Sequence, residues 1–185
     1  MKKPASKKPP KRNAKRFRPK RTTFVRKVEL DVTAGQAALL DSQSKIANRL
    51  YNDLKAQADD LRVRYARARA AGRDDEAREI AEVLYSDRGL RNLLPEMKDA
   101  RPFFKTVHSS VLKNAALRLI RAIRAHQRDK ARWRWPRFSR WKDGWFSLEY
   151  EEPDKGWTVI DGRTLSLRFG VTEAGERLGV NLRMK

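Results

Sequence analysis

Phe24, Arg26, Val28, Leu30 and Val32 alternate with Val25, Lys27, Glu29 and Asp31, and this two-residue period predicts a half-buried strand over residues 23–32. Thr33 followed three positions later by Gln36 has the spacing of a capping box and predicts a helix start. Leu39, Leu40, Gln43, Ile46, Ala47, Leu50, Tyr51, Leu54, Ala58, Leu61 and Tyr65 then recur at steps of three and four, one face of a long amphipathic helix. Arg62, Arg64, Arg67 and Arg69 crowd its end, and Gly72 breaks it. Ala77, Ile80, Ala81 and Leu84 predict a second helix packing back on the first as a hairpin. Pro95 and Pro102 punctuate a connector through Leu93, Leu94, Phe103 and Phe104. Ser109 is a good N-cap for a further helix with the apolar stripe Val111, Leu112, Ala115, Leu119, Ala122 and Ile123.

After Gly144 the period changes. Residues 145–150, 157–160, 164–169 and 178–184 read as short strands, separated by turn-forming stretches that include Asp161-Gly162. A lone N-terminal strand is unstable, so the strand over 23–32 is expected to pair with the C-terminal ones. The fold class this implies is α+β: one antiparallel, barrel-like sheet, with helices inserted between its first and second strands.

Charge changes the picture next. Against 44 Lys and Arg stand 23 Asp and Glu, a formal net charge of +21. Eleven of those cations lie in residues 1–21 with no acid among them, and Pro4, Pro9, Pro10 and Pro19 fall in the same stretch. Residues 1–22 are therefore expected to form a disordered basic tail that adds affinity for polyanions without specificity. No apolar run approaches the roughly 20 residues of a membrane helix, which argues against a membrane partner. The chain has no cysteine and only His108 and His126, which excludes disulfides and makes a zinc cage implausible. A cytoplasmic, nucleoid-associated location is the expectation.

Two stretches carry candidate chemistry. Arg118, Arg121, Arg124, Arg128 and Arg132 recur at near one-turn spacing opposite the apolar stripe, and Asp129 is the only acid from Arg118 to Lys142. Residues 132–145 then alternate guanidinium groups with rings and hold four of the five tryptophans. Arg132, Arg134 and Arg137 suit phosphate, and Trp133, Trp135 and Phe138 suit stacking on exposed bases. On a strand, Trp133 and Trp135 would share a face. The plain alternative is a strand that buries one face, with arginine stems lying along the aromatic surface.

At this point the residues resemble a family. Val28-Glu29-Leu30, Thr33, Gln36, Leu39-Leu40, Leu50-Tyr51-Asn52 and Leu54 are similar to the opening of TnpB-like transposon-encoded proteins and the related type V CRISPR effectors. Leu94-Pro95, Val107, Ser109, Val111-Leu112, Ala115, Leu117-Arg118-Leu119 and Ala122, followed by Trp135-Pro136-Arg137-Phe138 and Phe146-Ser147-Leu148, fit the same family in order and spacing. The resemblance covers about Phe24 to Lys185. It implies an OB-like wedge β-barrel (residues 23–32 and 133–185) interrupted by a helical recognition lobe (residues 33–132). It also implies that the barrel grips a guide RNA and that the helices contact target DNA at its flanking motif. Carried over by position, Tyr51, Asn52, Ser109, Ser110, Lys113 and Asn114 would face the flanking duplex, although Tyr51 fits equally well as core. Arg118, Arg121, Arg128, Arg134 and Arg137 would hold phosphates.

The departures are as informative. Family members carry a RuvC-like nuclease with metal-binding carboxylates and, usually, a Cys-type zinc element, and neither is present in these 185 residues. Glu149, Glu151, Glu152, Asp154 and Asp161 cluster around one expected hairpin, whereas a two-metal site needs carboxylates converging from separate elements. Ser109 beside His108 shows no base-orienting third group. The chain alone is therefore read as a non-catalytic binding portion without a cofactor of its own. Mg²⁺ is expected only with a separate nuclease domain, on a RuvC-bearing polypeptide. A free-standing basic RNA-binding, chaperone or ribosome-associated protein would show much the same composition.

Overall fold

The computed structural model describes residues 27–141 and 146–185. The basic tail and the start of the expected first strand lie outside the described residues. The elements in chain order are β1 (Leu30–Asp31), α1 (Ala34–Ala70), α2 (Asp74–Tyr85), α3 (Gly89–Asn92), α4 (Leu94–Ala100), a 3-10 turn (Pro102–Thr106), α5 (Ser109–Arg128), β2 (Trp157–Ile160), β3 (Thr164–Val171) and β4 (Arg177–Met184).

Local chemistry sets the helix limits. The Thr33 hydroxyl accepts from the Gln36 N–H at 3.3 Å, and the Gln36 side chain accepts from the Thr33 N–H at 2.9 Å, so the capping box forms. At the far end of α1, Gly72 takes φ +69°, Arg73 N–H donates to the Ala68 carbonyl and Gly72 N–H to that of Arg69. These are the two bonds of a Schellman stop, and only glycine adopts that backbone without cost. The chain then reverses into α2, where Ala77 and Ile80 bury against Ala68, flanked by Leu61 and Tyr65. The main core lies between α1, α3, α4 and α5 and includes Leu50, Leu54, Leu90, Phe104, Leu112, Leu119 and Ile123. The connector expected around Pro95 and Pro102 is thus built of short helical turns, each with a proline in its first turn, where the missing N–H goes unneeded.

Two helix limits differ from expectation. His108, not Ser109, is the N-cap of α5: its Nδ1 accepts from the Ser110 N–H at 3.2 Å. The helix also stops at Arg128, because the Asp129 carboxylate accepts the N–H groups of Ala131 and Arg132 at 3.1 and 3.0 Å. A side chain that captures two backbone donors offers an alternative to the next helical turn. Arg132 is therefore off the α5 face.

The barrel is a further correction. The strands form an open antiparallel sheet of order β1-β4-β3-β2, with Leu30 opposite Met184, Leu165 opposite Leu182 and Trp157 opposite Leu167. The N-terminal strand does pair with the C-terminal one, but it contributes only two residues. The segment 146–150, expected as a strand, joins no ladder. Its backbone is bonded by helix side chains instead, so among the described residues no strand joins β2 to β1 to close a barrel.

The sheet meets the helices at a close approach. A Cβ added at Gly170 in β3 would overlap the Lys105 carbonyl oxygen of the 3-10 turn. By contrast, Gly162 in the β2–β3 turn takes φ +70° with open space around it. Gly170→Ala is expected to lower unfolding free energy by about 1–3 kcal/mol through overpacking against backbone. Gly162→Ala should cost about 1 kcal/mol, from left-handed strain alone. Urea titrations of both variants would check this ordering.

Candidate nucleic-acid interface

Beyond Arg128 the chain turns and runs extended along α1. Trp133 N–H reaches back to the Asp129 carbonyl at 2.9 Å, and His126 Nδ1 lies 2.7 Å from the Trp133 carbonyl. A carbonyl only accepts, so His126 Nδ1 carries the proton. Trp135 points inward: its indole N–H donates to Asp59 at 2.7 Å, the Arg62 guanidinium covers its ring at 4.5 Å, and His126 meets it edge-on. Pro136 is buried beside it. Asn52 then bonds Ser139 from both sides, accepting its N–H at 2.8 Å and donating to its carbonyl at 2.9 Å, and Asn48 donates to the same carbonyl. Trp141 donates its indole N–H to Ser44 at 3.2 Å, and the Lys45 ammonium sits over its ring. The partners descend α1 from Asp59 to Ser44, about 22 Å of helix, which six extended residues span at their usual pitch.

A second extended run follows α5. Ser44 donates to the Phe146 carbonyl at 2.8 Å, Arg118 reaches Ser147 and lies over the Phe146 ring at 4.3 Å, Asn114 donates to the Glu149 carbonyl at 3.2 Å, and Lys113 bonds Glu151. That contact with Lys113 is the main reason the Glu151 carboxyl is held below its usual range.

The sequence-predicted site residues therefore fall into two sets. Tyr51 is only 9% exposed and packs on Phe146, with its hydroxyl pKa pushed up by burial. Asn52, Lys113, Asn114 and Arg118 hold the extended segments, Ser110 bonds the capping His108, and Trp135 fills the groove on α1. Ser109 is exposed and accepts from Lys98 at 3.1 Å. In the second set, Arg121, Arg128, Arg132, Trp133, Arg134, Arg137 and Phe138 all face solvent. Trp133 and Phe138 stand 49% and 55% exposed, so the two tryptophans expected to share a face point opposite ways. The segment is not a strand, and its side chains follow the groove rather than a pleat.

Lys130 and Arg140 join this exposed ridge, and sequence reading passed over both. Their signal was the same absence of acids that marked their neighbours. Several cations of the helical lobe are matched by acids: Arg101 and Arg49 share Asp53, Arg69 pairs with Asp74 at 2.5 Å, and Arg124 with Asp87. On the ridge, Arg128, Lys130, Arg132, Arg134, Arg137 and Arg140 make no ion pair among the described residues. Asp129 is engaged by backbone donors, and Asp59 by Lys55 and Trp135. Arg132 lies against the Trp133 ring at 5.4 Å, presenting a plane of guanidinium and indole together. The Lys55 ammonium props the Phe138 ring from beneath at 4.8 Å.

The acids near the sheet shape turns. Asp161 takes φ +53° and accepts the Arg163 N–H and the Thr164 hydroxyl, while Asp154 takes φ +65°. Among the described residues no cluster of three or more His, Asp or Glu could hold a metal, and no helix is long and apolar enough to cross a membrane. Comparison with protein-family models, with curated proteins and with solved structures finds no match to the chain.

Asn52→Ala removes the acceptor of the Ser139 N–H and leaves its carbonyl the Asn48 bond alone, and is expected to cost about 1–3 kcal/mol of stability, measured by urea unfolding, because it strands a backbone donor. His108 provides a pH test. Burial above all holds its pKa below 6.5, Lys98 and Arg168 act the same way, and Glu152 and the Lys155 carbonyl oppose them. The unfolded chain then takes up a proton that the folded one resists, so stability is full above about pH 6.5 and falls as pH drops below it. Protonation would also remove the acceptor that caps α5. Melting temperatures measured downward from pH 7 should fall for the native chain and fall less steeply for His108→Asn.

Proposed function

We propose that the chain is the nucleic-acid-binding portion of a TnpB-like, RNA-guided DNA-targeting protein. On this reading it holds a guide RNA and contacts target DNA, while a separate RuvC-bearing polypeptide with its Mg²⁺ carries out any cleavage. The observation that supports nucleic-acid binding most directly is the ridge from Arg128 to Arg140. Six exposed cations that make no ion pair among the described residues lie there beside two half-exposed rings. Exposed rings stack on bases of any sequence, and guanidinium groups spaced along a chain follow successive phosphates. The guide and target parts of the reading rest on the motif resemblance between Val28 and Leu148. The open sheet and the α1–α5 scaffold then serve to present the ridge.

Alanine substitutions separate display from support. Trp133→Ala and Phe138→Ala are each expected to weaken single-stranded RNA binding by about 1–3 kcal/mol with little change in melting temperature. Trp135→Ala should instead destabilise the fold by about 3–5 kcal/mol. Fluorescence anisotropy and thermal melting of the three variants check both arms; equal losses of stability and binding for all three would refute display. Sequencing the RNA that copurifies distinguishes guide binding, which predicts one discrete structured RNA, from general RNA coating, which predicts a mixture.

A further inference from the structure

A second cationic site lies at the opposite end of α5. Lys98, Lys105, His108, Ser109, Lys155, Arg168 and Arg177 surround a cleft of about 740 Å³ between the first turn of α5, the 3-10 turn and the β3–β4 hairpin. Its remaining walls are apolar: Val107 and Phe169 are buried, and Val171 is 39% exposed. Two of the five cations have acid partners at the rim, Lys105 with Asp99 at 2.9 Å and Lys155 with Glu152 at 3.6 Å. Lys98, Arg168 and Arg177 have none among the described residues. Gly170 builds the cleft, since its missing Cβ is what lets β3 seat on the Lys105 carbonyl and bring Arg168 to the start of α5.

The arrangement differs in kind from the ridge. There the cations follow one another along the chain and stand exposed. Here Lys98, Lys105 and Arg168 line one cleft, and Lys98 donates to the Ser109 hydroxyl beside them. Positive charge gathered in one cleft suits a phosphate monoester, which carries about −1.5 to −2 at neutral pH, better than a diester. A cleft of this volume, with an apolar wall beside the cations, has room for the attached nucleoside.

We propose that this cleft binds the phosphate monoester of a nucleotide, either at the end of a nucleic-acid strand or free. The site extends the nucleic-acid reading above and rests on it for the class of ligand. Lys98, Arg168 and the Ser109 hydroxyl hold the phosphate, and Val171 lies against the nucleoside. Burial, and after it the repulsion of Lys105, holds the Lys98 ammonium below the usual lysine range, and an entering anion relieves that repulsion.

The test uses the full chain at physiological salt with two probe pairs. One pair is short RNA oligomers of one sequence with and without a terminal phosphate; the other is adenosine monophosphate and adenosine. The phosphorylated member of at least one pair should bind about tenfold tighter, the increment of a charge-assisted contact. Lys98→Gln with Arg168→Gln should remove that preference while leaving binding of the unphosphorylated oligomer unchanged. If the double variant loses cooperative melting, Arg177→Gln at the exposed rim replaces it and should reduce the preference. Preference in the oligomer pair identifies a strand end, and preference in the adenosine pair alone identifies a free nucleotide. No preference in either pair, or one indifferent to these substitutions, overturns the proposal. Arg134→Gln and Arg137→Gln on the ridge should weaken both oligomers equally. If they change nothing while the preference persists, the ridge reading fails and the cleft stands.

Discussion

An extended chain that pairs with no strand must find partners for its backbone elsewhere, because a buried amide or carbonyl left bare costs about 1–3 kcal/mol. Residues 135–141 and 146–151 meet that demand with the side chains of two helices. Ser44, Asn48 and Asn52 on α1, with Asn114 and Arg118 on α5, supply the bonds that a neighbouring strand would have supplied. The clasp also closes the core, because the same run delivers Trp135, Pro136 and Phe146 into apolar surroundings. Everything after it depends on where it ends. Gly156 packs against His108 and Tyr150, and from there the chain enters the sheet.

The placement of acids, more than the number of bases, decides where charge remains available. Within the helical lobe Asp53, Asp74, Asp87 and Glu76 each neutralise a neighbouring arginine. On the stretch from Arg128 to Arg140 the one acid is turned to backbone N–H groups. Asp59, the nearest acid on α1, is occupied by Lys55 and by the Trp135 indole. The fold therefore concentrates an excess that the composition records only as a total.

Much of the helical part was legible. The capping box at Thr33 and the glycine stop at Gly72 are short-range devices, and short-range chemistry is readable in sequence. The turn at Asp161-Gly162 is readable for the same reason. The extended segment was not, because Phe146, Leu148 and Tyr150 alternate identically whether the partner is a strand or a groove between helices. That ambiguity turned an open sheet into an expected barrel. The resemblance gave Asn52, Asn114 and Arg118 nucleic-acid roles, and nothing local reveals that an asparagine in mid-helix also reaches a chain some 35 to 87 residues away. Trp133 and Phe138 were legible as a pair with their arginines, but which tryptophan turned inward depended on Asp59, a contact 76 residues distant.

α5 separates two kinds of cationic surface by about 30 Å, the length of its twenty residues. The ridge at its C-terminal end is exposed and linear, so each charge acts singly and is screened within a Debye length of about 8 Å at physiological salt. The cleft at its N-terminal end is lined and partly apolar, so its charges act together on one group and are screened less. On the proposed reading, rising ionic strength would release a backbone from the ridge before it releases a phosphate from the cleft. A strand engaged at both would remain tethered by its terminus under conditions that free its backbone, and the stiffness of a single helix is what keeps the two sites at a fixed span.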